Sequence, residues 1–151
     1  MFDPFGEEPM RFMMIVKAKR DSEAGILPSE RLLAEMGRFN EELAKAGALI
    51  AGEGLQPSSK GARVRFSAGE PTVIHGPFPE TGQLIAGFWL IQAASKADAI
   101  EWARRCPCPH ESGEAEIEIR QVFAAEDLGA EFTAGSRAQE ERLRRRVSEE
   151  R

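Results

Sequence analysis

Residues 84–93, Leu-Ile-Ala-Gly-Phe-Trp-Leu-Ile-Gln-Ala, form the most apolar stretch of the chain, and their alternation decides the fold. Leu84, Ala86, Phe88 and Leu90 fall on one side of an extended strand, and Ile85, Trp89 and Ile91 on the other. A strand with one wet face alternates apolar with polar residues. This one does not, so both of its faces must be covered. Residues 11–18 (RFMMIVKA) have the same character, with Phe12, Met14 and Val16 against Met13 and Ile15.

Working outward, Leu32, Met36, Phe39 and Leu43 recur at steps of four, three and four, which predicts a helix from Pro28 or Ser29 to about Ala46, stopped by Gly47. Residues 21–27 read as a loop before it. Residues 48–55 (ALIAGEGL) read as a second strand. Val64–Ser67 and Thr72–His75 read as a hairpin, and 76–83 (GPFPETGQ) as a loop. Ser95 has the character of an N-cap with Asp98 three residues on, opening a helix to about Arg105 with Ile100 and Ala103 inward. Pro107 and Pro109 end it. Residues 115–123 read as the last strand, with Ile117, Ile119 and Phe123 facing in.

The order is strand, helix, strand, hairpin, strand, helix, strand. This predicts an α+β fold, a ferredoxin-like β-α-β-β-α-β subunit with an inserted hairpin. Two helices cover one face of a four-stranded sheet, yet two strands are apolar on both. A second copy of the chain, sheet against sheet about a two-fold axis, would cover the remainder and make a homodimer. A pocket on that face would answer the same need, and the two can coexist.

The 151 residues suit one domain. Three segments are expected: residues 1–9 as a flexible leader, 10–129 as the folded domain, and 130–151 as a charged tail outside the core. A net charge of −5 argues against general nucleic-acid binding. No apolar run reaches the roughly 20 residues of a membrane span. The acidic opening MFDPFGEEPM is unlike a secretory signal, and the two cysteines are too close together for a structural staple, so a cytoplasmic location is expected.

The loop His75-Gly76-Pro77-Phe78-Pro79-Glu80-Thr81 resembles the motif of YCII-related proteins, in the branch marked by an Asp-Gly-Pro-Phe tetrad followed by a small residue, Glu and Thr. Phe39–Leu43, Ala51–Leu55, Gly87–Ile91 and Arg105–Pro107 are similar to the same branch, in the same order, so the resemblance spans about 10–129. It implies a subunit paired into a dimeric α/β barrel, with a cleft beside the tetrad loop and acid-base chemistry there. Pro77, Phe78 and Thr81 would then meet the substrate. Here His75 replaces the tetrad's Asp.

His75, Glu53 and Glu80 are the candidate catalytic set. An imidazole and a carboxylate within hydrogen-bond reach suffice to move a proton beside a carbonyl. The same residues have an architectural reading, with Glu53 or Glu80 accepting backbone N–H bonds and His75 capping the hairpin. Cys106, Cys108 and His110 are spaced as soft ligands, but a structural zinc site needs four, so no metal is expected. No phosphate-binding glycine motif occurs, and no cofactor is expected. Three functions follow as expectations: a cofactor-free lyase or isomerase acting on a small organic molecule, a non-catalytic small-molecule-binding or regulatory accessory dimer, or a purely structural dimer with an empty cleft.

Overall fold

The computed structural model describes residues 9–131 and 133–149. The chain divides into two compact units, one reaching Gln121 and a smaller one from Val122. The leader expected over 1–9 lies outside the described residues except for Pro9.

The first unit runs β1 (Met10–Lys17), α1 (Arg20–Glu23), α2 (Glu30–Lys45), β2 (Leu49–Gly54), β3 (Ala62–Arg65), β4 (Thr72–His75), β5 (Ile85–Ala93), α3 (Lys96–Arg105) and β6 (Ile117–Gln121). Its main sheet has the order β2-β5-β1-β6 with every neighbour antiparallel, and β3 and β4 form a separate hairpin. This is the α+β, ferredoxin-like order with a hairpin inserted between β2 and β5.

The two doubly apolar strands are the central pair. Phe12 lies opposite Ile91 and Met14 opposite Trp89. These side chains meet Phe39 and Leu43 of α2 and Ala99 of α3 in one core. Full burial of such a side chain contributes about 1.5–3 kcal/mol. Met13 opposite Leu90 and Ile15 opposite Phe88 occupy the other face, where all four are only half-buried.

Helix ends follow local chemistry. Ser29 Oγ accepts from the Leu32 N–H at 3.1 Å, and Gly47 takes a φ of 71° beyond the last turn, a region that costs other residues more. Ser95 Oγ accepts from the Asp98 N–H at 3.2 Å.

Several boundaries differ from expectation. The stretch 21–27 is not all loop. Its start is the single turn of α1, closed by Ser22, whose hydroxyl accepts from the Lys19 N–H at 2.9 Å and donates to the Lys19 carbonyl at 2.8 Å. In α3 the inner stripe is Ala99, Trp102, Ala103 and Cys106 rather than Ile100 and Ala103, because Trp102 reaches Phe39 edge-on. Phe123 does not face in. Strand pairing ends at Phe12 opposite Gln121, and Phe123 falls in the second unit, 69 % exposed.

The second unit holds a 3-10 stretch (Ala125–Glu131) and α4 (Ala134–Glu149). None of the described residues of α4 is buried, and Arg144 pairs with Glu140 one turn earlier. No helix among the described residues is long and apolar enough to cross a membrane.

Candidate functional site

A cleft of about 920 Å³ opens on the helix-covered side of the sheet. Its floor is made by absent side chains. Gly52 pairs with Trp89, and Gly54 with Gly87, so all three glycines face the helices. A Cβ at Gly52 would sit 2.8 Å from Trp89 Cδ1, and one at Gly87 2.9 Å from the Glu53 carbonyl oxygen. Nor can the Trp89 ring retreat. Its Nε1 donates to Asn40 Oδ1 at 2.7 Å, and Phe39 meets it edge-on at 5.5 Å.

Leu32, Leu33 and Met36 of α2 supply apolar wall, with Ile26 and Leu27. Ile26 and Leu27 are 61 % and 84 % exposed. Polar groups come from α1, from the segment after β2 and from the segment after α3. Many are already engaged. Glu23 accepts from the Ser58 N–H at 2.9 Å and from its hydroxyl, Glu111 accepts from the Ser29 N–H at 2.8 Å, and Lys19 lies 3.8 Å from Glu114. The bond from Ser29, aided by nearby Arg31, lowers the Glu111 pKa.

The expected catalytic set is dispersed. Glu53 borders the cleft, but it pairs with Phe88, so alternation turns its side chain to the opposite face of the sheet from Gly52 and Gly54. His75 ends β4 opposite Ala62 and is exposed. Glu80 pairs with Arg63 at 3.2 Å, and the Arg63 guanidinium lies 3.9 Å over the Phe78 ring. His75, Glu53 and Glu80 share no hydrogen bond or ion pair with one another among the described residues.

The tetrad loop is tied down through Ser58. Phe78 N–H donates to Ser58 Oγ at 3.0 Å, and Gly76 N–H to the Gly61 carbonyl at 3.0 Å. Gly76 packs so closely that a Cβ would lie 2.7 Å from the Ser58 carbonyl carbon, with the oxygen nearer still. The Gly76-Pro77 peptide is cis. Phe78 lines a smaller cavity of about 310 Å³ with Glu23, Gln56 and Arg63. Because Glu23 lines both cavities and holds Ser58, the tetrad loop and the main cleft share one hydrogen-bonded strut. Pro77 is exposed, and the Thr81 side chain lies outside the described residues.

Cys106, Cys108 and His110 each turn to a backbone carbonyl. Cys106 Sγ donates to Pro107 at 3.1 Å, Cys108 Sγ to His110 at 3.5 Å, and His110 Nε2 lies 2.9 Å from the Lys17 carbonyl. Burial, then the neighbouring Cys108, pushes the Cys106 thiol up to about 12, which keeps it protonated and unreactive. Among the described residues no group of three or more His, Cys, Asp or Glu is placed to hold a metal ion.

Sequence reasoning passed over the glycine floor, Asn40 and the place of His110 in the cleft. Gly52 and Gly54 read as weakening a strand and as letting something approach closely beside Glu53, not as the floor of a cleft, and His110 stands 93 residues from its hydrogen-bond partner.

An antiparallel α+β domain of ferredoxin-like order, with a cleft between sheet and helices, is the class that this fold and site define. Within it, the chain belongs to the YCII-related domain family, whose profile matches residues 10–124. It is also similar to an uncharacterised protein of Rhizobium meliloti (strain 1021), at 37 % identity over 75 residues. That match covers 50 % of this chain and 60 % of the relative.

Proposed function

We propose that this domain carries out cofactor-free acid-base chemistry, of the lyase or isomerase type, on a small organic molecule held in the main cleft, and that it works as a homodimer. The observation that carries the reading is the cleft itself. Its volume of about 920 Å³ lies in the range of small-molecule sites, with a bare glycine floor, apolar helix walls and polar groups around them. In this reading the tetrad loop, with Pro77, Phe78 and Thr81, frames the substrate's approach. The loop bears on the cleft through Ser58 and Glu23, and His75, Glu53 and Glu80 belong to its surroundings.

The homodimer is supported by the half-buried face of Met13, Ile15, Phe88 and Leu90. A second copy would bury these residues against their own counterparts. The tetrad resemblance points to the same pairing.

A second reading, a binding or regulatory domain without turnover, is favoured by one observation. Glu23, Asn40 and Glu111 at the cleft all hold other parts of the protein in place. Trp89 lines the cleft, so a Trp102→Phe variant keeps a single tryptophan as reporter. Saturable quenching by pyruvate, levulinate or cyclohexanone is expected, with chemical change of the bound compound visible by proton NMR. Quenching without chemistry would favour the second reading. No quenching by any of them at millimolar concentration would overturn both.

A further inference from the structure

Two histidines occur in the chain, and only His110 lines the main cleft. It sits in a turn after α3, closed by the Gly113 N–H donating to the His110 carbonyl at 3.1 Å, among Pro109, Glu111 and Ser112, which line the same cleft. Two anchors fix this segment. On one side, Glu111 accepts from the N–H of Ser29, the N-cap of α2, at 2.8 Å. On the other, the end of β1 is held twice: Lys17 N–H donates to the Glu116 carbonyl at 3.0 Å, and the Lys17 carbonyl meets His110 Nε2 at 2.9 Å.

The second of these bonds sets the chemistry of the ring. A backbone carbonyl only accepts, so Nε2 must be the nitrogen that carries hydrogen. In a neutral imidazole the other nitrogen, Nδ1, is then an acceptor, and a proton acceptor is a base. Nδ1 has no protein partner among the described residues. The arrangement is that of a base with its far side held by an orienting group.

Of the two lysines lining the cleft, Lys19 lies near Glu114, while the side-chain ammonium of Lys60 has no partner among the described residues. An unpaired ammonium in the same cleft is suited to an oxygen that gains negative charge.

We infer that His110 Nδ1 is the proton-transfer group of the cleft, acting on a small enolisable carbonyl compound whose oxygen is stabilised by Lys60. This rests on the acid-base reading proposed above. In the step, the C–H bond beside the carbonyl breaks and its proton passes to Nδ1. The electron pair forms the new C=C bond, and the carbonyl π pair moves onto oxygen as an enolate. Return of the proton to the same carbon regenerates the substrate, and return to a conjugated carbon gives the isomer. No oxidant, reductant or co-reactant is consumed.

The test is deuterium exchange in D2O at the positions beside the carbonyl of pyruvate, levulinate and cyclohexanone, followed by proton NMR. The wild-type protein is expected to accelerate exchange of at least one of them. His110→Gln should slow it by about a hundredfold, the scale of general acid-base catalysis, while Lys96→Gln, at an exposed position away from the cleft, leaves it within about twofold. Added imidazole should restore exchange to a folded His110→Ala variant, which a merely structural role for the ring would not give. Full exchange in His110→Gln, or an Nδ1–H tautomer in nitrogen-15 NMR of the wild type, overturns the assignment to His110 and leaves the acid-base reading standing. No acceleration by the wild type with any of the three overturns the acid-base reading and this inference together.

Discussion

Gly76→Ala should cost about 3 kcal/mol of folding stability, the upper part of the range for forced overpacking. The reason is steric and local. The new Cβ would meet the Ser58 carbonyl, a backbone group with nowhere to rotate, rather than the mobile end of a side chain. Ser58 cannot withdraw cheaply, because its N–H and hydroxyl are both held by Glu23 and its Oγ accepts from Phe78. In a chain of this size the loss corresponds to a fall in Tm of roughly 10 °C, read by calorimetry. Gly82→Ala, in the same region with nothing within 4 Å of the added carbon, is the matched control and should shift Tm little. Equal melting of the two variants would show that the tetrad loop is not seated on Ser58.

Ile15→Asp should abolish self-association while leaving the subunit folded. Ile15 stands beside Phe88 on the half-buried sheet face, so in a single subunit its carboxylate reaches water. In a dimer closed through that face, two such carboxylates, one from each copy, would be buried without partners. Burying an unpaired charge costs about 3 kcal/mol or more, which raises the dissociation constant at least about a hundredfold. Sedimentation at micromolar concentration is expected to give a dimer for the wild type and a monomer for the variant. Met14→Asp, one residue away on the fully buried face, should instead unfold the chain. A wild-type monomer, or an Ile15→Asp protein that remains a dimer, would place any association elsewhere.

Both experiments turn on features of different legibility. The doubly apolar strands were plain in the sequence because strand periodicity is two, and the register of Phe12 with Ile91 and of Ile15 with Phe88 follows the same pattern. The two helices of the core, α2 and α3, were legible for a similar reason, Ser29 and Ser95 marking their starts and Gly47 an end, whereas the single turn of α1 was not. The hairpin and the last strand were legible in kind but not in extent. Val64 to Ser67 became Ala62 to Arg65, and β6 stopped short of Phe123, because partners rather than composition decide where pairing ends.

The site was less legible, since its parts are far apart in sequence. Glu53 could be placed near a glycine-lined region, but not given its direction. That depends on which of Gly52 and Glu53 pairs with Trp89, and the β2–β5 register shifts between Leu49 and Ala51. His75 drew attention as the variant position of a recognisable motif, while His110 lay among prolines and cysteines and suggested only a metal ligand. Its approach to Lys17 depends on the tertiary fold and leaves no trace in local spacing.

The central claim is that the cleft between sheet and helices is where a small organic molecule binds. Amide chemical-shift mapping of the nitrogen-15-labelled full chain during titration with levulinate tests it most directly. The account predicts saturable shifts concentrated at residues 22–27, 52–56, 87–89 and 109–112, which line the cleft. Shifts confined to β3 and β4, or to the face of Met13 and Leu90, would contradict it.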